Sequence, residues 1–177
     1  MPESQQPIKG RDMIVERIAK TPWCSVLDIG AGDGKWGKLL AEHVYKITGL
    51  EVWQDSIVNN KLNSIYDGMI QMDAREFEGW DGFDVVILGD VLEHLPYDDA
   101  VAFVERLKAK ALDVYLTIPI SECIQDGTVY GNPFETHLYQ WTDKELVALG
   151  FKQLHAGPNP NGKVMIGTYL IKGWNED

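Results

Sequence analysis

The sequence is poor in cysteine, has no concentrated positive charge and holds no long apolar run. Only Cys24 and Cys123 occur, far apart and in no C-x-x-C pair. That argues against a disulfide framework or a cysteine metal site, and reads as two buried thiols in a reducing compartment. Lysine and arginine number 16 against 27 aspartates and glutamates, a formal net charge of −11. No basic stripe is present, which argues against a nucleic-acid partner and favours a small molecule or a cationic one. No apolar stretch nears the roughly 20 residues of a membrane span, and the opening "MPESQQPIKGRD" is too polar for a signal peptide. A cytoplasmic protein with no membrane partner is expected. Repeats and low-complexity segments are missing too, and 177 residues suffice for one domain with a real core. One domain is expected over 1–177, with flexible ends at about 1–7 and 173–177.

What is there is a short apolar run that keeps returning, followed by a helical pattern. The runs are "SVLDI" (25–29), "YKITGLEV" (45–52), "GMIQM" (68–72), "FDVVILG" (83–89) and "DVYLTI" (113–118). Strands this apolar on both faces belong to a parallel sheet covered by helices on each side. Helices are expected from about Asp12 to Lys20, over "KWGKLLAEHV" (35–44), over "PYDDAVAFVERLKAKA" (96–111) and over "TDKELVAL" (142–149). Pro96 with two following acids opens the third, and a Thr start with a Gly stop bounds the last. Then "FKQLHAG", "PNPNG" and "KVMIGTYLIKG" predict a hairpin that ends the sheet with an antiparallel strand. The result is an α/β chain of seven strands. One long connection, Pro119 to Trp141, is expected to be an active-site loop.

The stretch "LDIGAGDGKWGKLL" poses the main functional question. From Gly32, "GDGKWG" fits the G-x-G-x-x-G of a dinucleotide loop, but that register starts two residues after Gly30 closes the strand. Asp28 at the strand end and Asp33 in the loop would also oppose a diphosphate, each at a cost on the order of a kcal/mol. A ligand with an ammonium and a sulfonium, and no phosphate, suits these acids. S-adenosylmethionine is such a ligand. Glu51 ends the second run, where a carboxylate can take ribose hydroxyls. Asp73 ends the third, where it can accept from an adenine amine, with the Ala74 amide beside it for a ring nitrogen. The alternative for each acid is a solvated turn residue; three at successive strand ends favour one shared ligand.

On these residues the chain resembles the class I S-adenosylmethionine-dependent methyltransferases over nearly its whole length. The likeness rests on "VLDIGAGDGKWGKLL", Glu51, "DAREF" and "FDVVILGDVLEHL", whose "DVLEHL" ending is typical of members that act on small molecules. It implies a Rossmann-like three-layer sandwich, S-adenosylmethionine as cofactor and methyl transfer to an oxygen or nitrogen of a small-molecule acceptor. The implied cofactor contacts are Asp28, Gly30, Ala31, Gly32, Glu51, Val52, Asp73, Ala74, Gly89, Asp90 and Val91. Nothing resembles the inserted cap that many relatives use for substrate. A cofactor-binding regulator without catalysis, or an NAD-dependent oxidoreductase, are the alternatives.

Methyl transfer needs a base only when the acceptor arrives protonated. His137, in "NPFETHLYQWT" of the long loop, is the candidate base. His94 is expected to shape the cofactor pocket, and His43 and His155 to be structural or superficial. Asp90, Glu93, His94, Asp98 and Asp99 are close in sequence, but Asp98 and Asp99 read as first-turn helix acids, so no metal site is expected. Tyr130, Phe134, Tyr139 and Trp141 make the long loop aromatic, either as a lid over the acceptor or as packing onto the sheet.

Overall fold

Each apolar run forms a strand. A computed structural model describes residues 9–110 and 112–173, with the side chains of 129 and 130 outside the description. The expected flexible ends lie outside the described residues except Gly173, whose amide donates to Asp113 Oδ1 at 2.8 Å. The strands are β1 (Ser25–Ile29), β2 (Lys46–Glu51), β3 (Gly68–Gln71), β4 (Val85–Gly89), β5 (Asp113–Pro119), β6 (Lys152–Pro158) and β7 (Met165–Ile171). They make one sheet in the order β3-β2-β1-β4-β5-β7-β6. The first five are parallel. The hairpin and its antiparallel C-terminal strand are as expected, and β7 inserts against β5, which leaves β6 at the edge.

Among the described residues five helices accompany the strands: α1 (Lys9–Ile18), α2 (Lys35–Leu40), α3 (Gln54–Asn59), α4 (Tyr97–Lys108) and α5 (Asp143–Ala148). Alternation along each strand splits the core into two layers. Val26 and Ile47 pack against Ile14 and Ile18 of α1, Leu40 of α2 and Ile57 of α3. Leu27, Ile29 and Leu88 pack against Phe103, Val104 and Leu107 of α4 and Leu146 of α5. The last three α4 and α5 side chains named are fully buried, each worth roughly 1.5–3 kcal/mol over exposure.

The first helix lies earlier than expected, at Lys9–Ile18 rather than about Asp12 to Lys20, and α2 and α3 differ as well. α2 stops at Leu40 rather than Val44, because β2 begins at Lys46 and the chain must turn first. α3 carries no sequence stripe strong enough to announce it, since only Ile57 of its six residues is buried. No helix among the described residues is long and apolar enough to cross a membrane.

The connection after β5 is an ordered loop. It holds 3-10 turns at Gly127–Tyr130 and Pro133–Glu135 and is pinned by the fully buried Trp141. A capping box follows: Thr142 Oγ1 accepts from the Glu145 amide, and Glu145 Oε2 accepts from the Thr142 amide at 2.9 Å. Thr142→Ala should therefore destabilise the protein by about 1 kcal/mol, within the 0.5–2 typical of lost helix caps. Urea unfolding checks this, and an unchanged midpoint would show that α5 is held by packing alone.

Candidate active site

The carboxyl ends of β1, β2 and β4 lie side by side, and the loop from β1 to α2 bends over them. Gly30 and Ala31 donate their amides to the Leu50 carbonyl at 2.8 and 3.1 Å. Gly32 donates to Glu51 Oε2 at 2.9 Å. Gly30 holds φ of 72°, and a Cβ there would stand 2.8 Å from Val91 Cγ2, so only glycine fits comfortably. At the end of β4 a Cβ on Gly89 would meet Trp36 Nε1 at 2.2 Å. That glycine lets the buried indole close against the strand end.

Two cavities open here. The first, about 330 Å³, has Ile29, Leu50, Val52 and Val91 as apolar walls and Glu51 and Asp73 among its carboxylates. The second, about 400 Å³, is more polar and is lined by Ala31, Gly89, Glu93, Cys123 and His137 among others. Gly30, Gly32, Asp90, His94 and Glu135 line both. Every expected cofactor contact lines one cavity or the other, except Asp28.

Asp28 is the correction. Residue alternation places it on the same sheet face as Val26, beneath the loop, and it is fully buried. Its Oδ2 accepts from the Tyr66 hydroxyl at 2.5 Å, while Oδ1 has no hydrogen-bond partner among the described residues. Burial, opposed by that hydrogen bond, pushes its pKa up to about 7. Asp28 thus ties β1 to the segment before β3 rather than facing either cavity.

The other acids are engaged as well. Glu51 accepts from the Gly32 and Trp53 amides, leaving further lone pairs on the same oxygens toward the first cavity. Asp73 accepts from Arg75 Nε and Nη2, and Arg75 Nη1 reaches Asp99 at 2.7 Å. The Arg75 hydrogen bonds hold the Asp73 carboxyl below the usual range. Asp90 adopts a left-handed φ of 59°, which aspartate tolerates better than most residues, and its carboxylate lies 3.8 Å from Lys35 Nζ. Desolvation raises its pKa and Lys35 pulls it back.

Across the second cavity the long loop meets the 3-10 turn Leu92–His94. The Glu93 carbonyl accepts from the Leu138 and Tyr139 amides at 2.8 and 3.2 Å. His94 Nδ1 lies 3.2 Å from the Thr136 carbonyl, and His137 Nδ1 lies 2.6 Å from that of Cys123. The two imidazoles stack edge to face with centroids 4.8 Å apart. Glu93 is 2% exposed, and neither carboxylate oxygen has a partner among the described residues. Burial without a partner raises its pKa well above the ordinary carboxylate value, and burial lowers that of His94.

The loop aromatics divide between the two expectations. Phe134 lines the first cavity, not the acceptor side, and packs on Trp53 at 5.8 Å. Tyr139 and Trp141 pack onto Tyr97 at the start of α4. The Tyr130 side chain lies outside the described residues. His43 is exposed and His155 half-buried in β6, away from both cavities. Sequence reasoning missed Arg75, Lys35, Asn132 and Leu138 as cavity residues. Only the position of Arg75 beside Asp73 could have signalled one of them.

A family model described as a methyltransferase domain matches residues 6–121, more than half of the chain. The chain belongs to the methyltransferase-domain family. Its cofactor is accordingly S-adenosylmethionine, which sets aside the NAD-dependent alternative. No curated protein sequence matches it. Solved structures share the fold at low identity. The 1,6-didemethyltoxoflavin-N1-methyltransferase of Burkholderia thailandensis, with its substrate and S-adenosylhomocysteine, is 16% identical with a TM-score of 0.66, covering 93% of this chain and 82% of its own. The N-methyltransferase NodS of Bradyrhizobium japonicum is 13% identical with a TM-score of 0.61, covering 93% and 96%. Magnesium protoporphyrin IX methyltransferase of Synechocystis is 20% identical with a TM-score of 0.60, covering 94% and 89%.

Asp28 provides a test of the buried electrostatics of this methyltransferase. In the unfolded chain it titrates near 3.8, so between that value and about 7 the folded form keeps a proton the unfolded form has lost. Its contribution to stability therefore declines as pH rises through this window and levels off above it. Asp28→Asn cannot ionise and should escape that decline. Denaturant unfolding at pH about 5 and about 8 should show stability shifting in favour of the variant; parallel pH curves would count against it.

Proposed function

We propose that the chain moves the methyl group of S-adenosylmethionine to an oxygen or nitrogen of a small molecule held in the second cavity. One observation carries this reading: two cavities share a wall at the strand ends, one of them apolar-floored with carboxylates at its edge, the other polar. The first suits a nucleoside. Ile29, Leu50, Val52 and Val91 offer an apolar bed for a purine, Glu51 has lone pairs for ribose hydroxyls, and Asp73 with the Ala74 amide stands where adenine polar atoms need partners. Gly30, Gly32 and Asp90, common to both cavities, would flank the reactive end. A carboxylate there favours a cationic sulfur centre and disfavours a diphosphate.

When bound, S-adenosylmethionine supplies a methyl carbon already activated by a sulfonium. The protein's part is alignment, which can contribute on the order of 7–11 kcal/mol when reacting atoms are held in line. The docked loop closes the acceptor side through the Glu93 carbonyl and the His94 and His137 ring contacts, limiting water there. On that side His137 lines the cavity wall, within reach of an acceptor. The acidic overall charge and the cavity's size favour a compact acceptor over a nucleic acid.

Glu51→Ala should weaken S-adenosylhomocysteine binding by about 1–3 kcal/mol, since it removes a charged acceptor and loosens the Gly32 loop. Calorimetry on both proteins checks this, and equal affinity would remove Glu51 from the nucleoside site. The transfer itself is tested by incubating the protein with labelled S-adenosylmethionine and panels of hydroxyl and amine acceptors. Label appearing in a small-molecule product supports the reading. Cofactor binding with no transfer to any panel member would favour the regulatory alternative.

A further inference from the structure

Glu93, His94 and His137 pose a problem that the methyltransferase reading leaves open. A buried carboxylate is ordinarily hydrogen-bonded or paired with a cation, and Glu93 has neither a hydrogen bond nor an ion pair among the described residues. Beside it are two imidazoles from separate segments. Each has Nδ1 on a backbone carbonyl, so that nitrogen carries the proton and Nε2 keeps its lone pair. Metal-binding histidines are usually oriented in this way, by a carbonyl or carboxylate on the other nitrogen. One ligand atom from each of Glu93, His94 and His137 lies within 4.8 Å of the other two. The acids Asp90 and Glu135 line the same cavity, and Lys35 is its one lysine or arginine among the described residues.

We infer that Glu93, His94 and His137 form a binding site for a divalent first-row transition cation in the wall of the acceptor cavity. Two imidazoles and one carboxylate suit Zn²⁺, Mn²⁺ or Fe²⁺ and leave coordination positions open. The three ligands line a cavity large enough for a small molecule, so an acceptor that ligates through oxygen or nitrogen is the substrate class such a site selects. A hydroxyl on the cation would have a lowered pKa. His137 then holds the cation instead of acting as a free base, and the earlier expectation of no metal site is replaced. Sequence reading grouped Glu93 and His94 with Asp90, Asp98 and Asp99, whereas the loop docking supplies the distant third ligand. What the cation does for the acceptor rests on the proposed methyltransferase function; its binding does not. The competing account is a protonated Glu93 beside two packed imidazole rings, and that account provides no cation affinity.

The test uses the full chain stripped with a chelator and titrated calorimetrically with ZnCl₂, with MnCl₂ and, separately, with S-adenosylhomocysteine. One equivalent of at least one cation should bind, at least tenfold more weakly in both Glu93→Gln and His137→Gln. S-adenosylhomocysteine affinity should be retained in those variants, because neither residue lines the first cavity. The Co²⁺-loaded parent protein should show visible absorption of nitrogen and oxygen ligation, and this decides the matter if a variant fails to fold. No cation binding while S-adenosylhomocysteine binds, affinity equal in parent and variants, or a cobalt spectrum of the free aqueous ion would each overturn the site and leave the methyltransferase reading intact. Cation binding that the variants weaken, without S-adenosylhomocysteine binding, would uphold the site and overturn that reading.

Discussion

The Leu50 carbonyl accepts the amides of Gly30 and Ala31, and the geometry of the site follows from that junction. β1 lies between β2 and β4 in parallel register, so all three strands end on the same edge of the sheet. A chain leaving β1 must turn there. By turning onto the end of β2 it brings Gly32 to Glu51 and leaves the ends of β1, β2 and β4 open to a ligand. Open α/β sheets bind ligands at this edge for the same reason, since the loops there diverge.

The acids around this edge do different work, and burial decides which. Asp28 is enclosed and meets a tyrosine. Glu51 is buried but accepts two amides, bracing the loop it was expected to serve only as a ligand contact. Asp73 is partly exposed and joined to Arg75, which itself spans to Asp99 on α4. A surface ion pair of this kind adds little stability, yet it holds a carboxylate in place at the cavity edge. Glu93 is the outlier, enclosed with nothing to accept from among the described residues. An unpartnered buried carboxylate is costly, so it persists where something outside the apo chain compensates it or where it stays protonated.

Much of the fold was legible because its signals are local. Five apolar runs, a Pro-Asn-Gly hairpin turn and a Thr-x-x-Glu cap each act within a few residues. α3 was invisible because it buries one side chain, and the insertion of β7 was invisible because a hairpin can add to a sheet edge in either order. At the site, glycines and strand-end acids were readable from spacing. Asp28 was misplaced since strand alternation, which turns it away from the loop, was not applied to it.

Local sequence dictated the layered α/β arrangement, the glycine bend and the acids at the strand ends, because each depends on neighbours within one strand–turn–helix unit. Tertiary structure alone decided that the loop after β5 folds back on the turn after β4. That contact brings His137 beside Glu93 and His94 through two backbone hydrogen bonds to one carbonyl. No local pattern encodes such a meeting, since it arises only when two loops leave adjacent parallel strands at the same edge and must pack on each other.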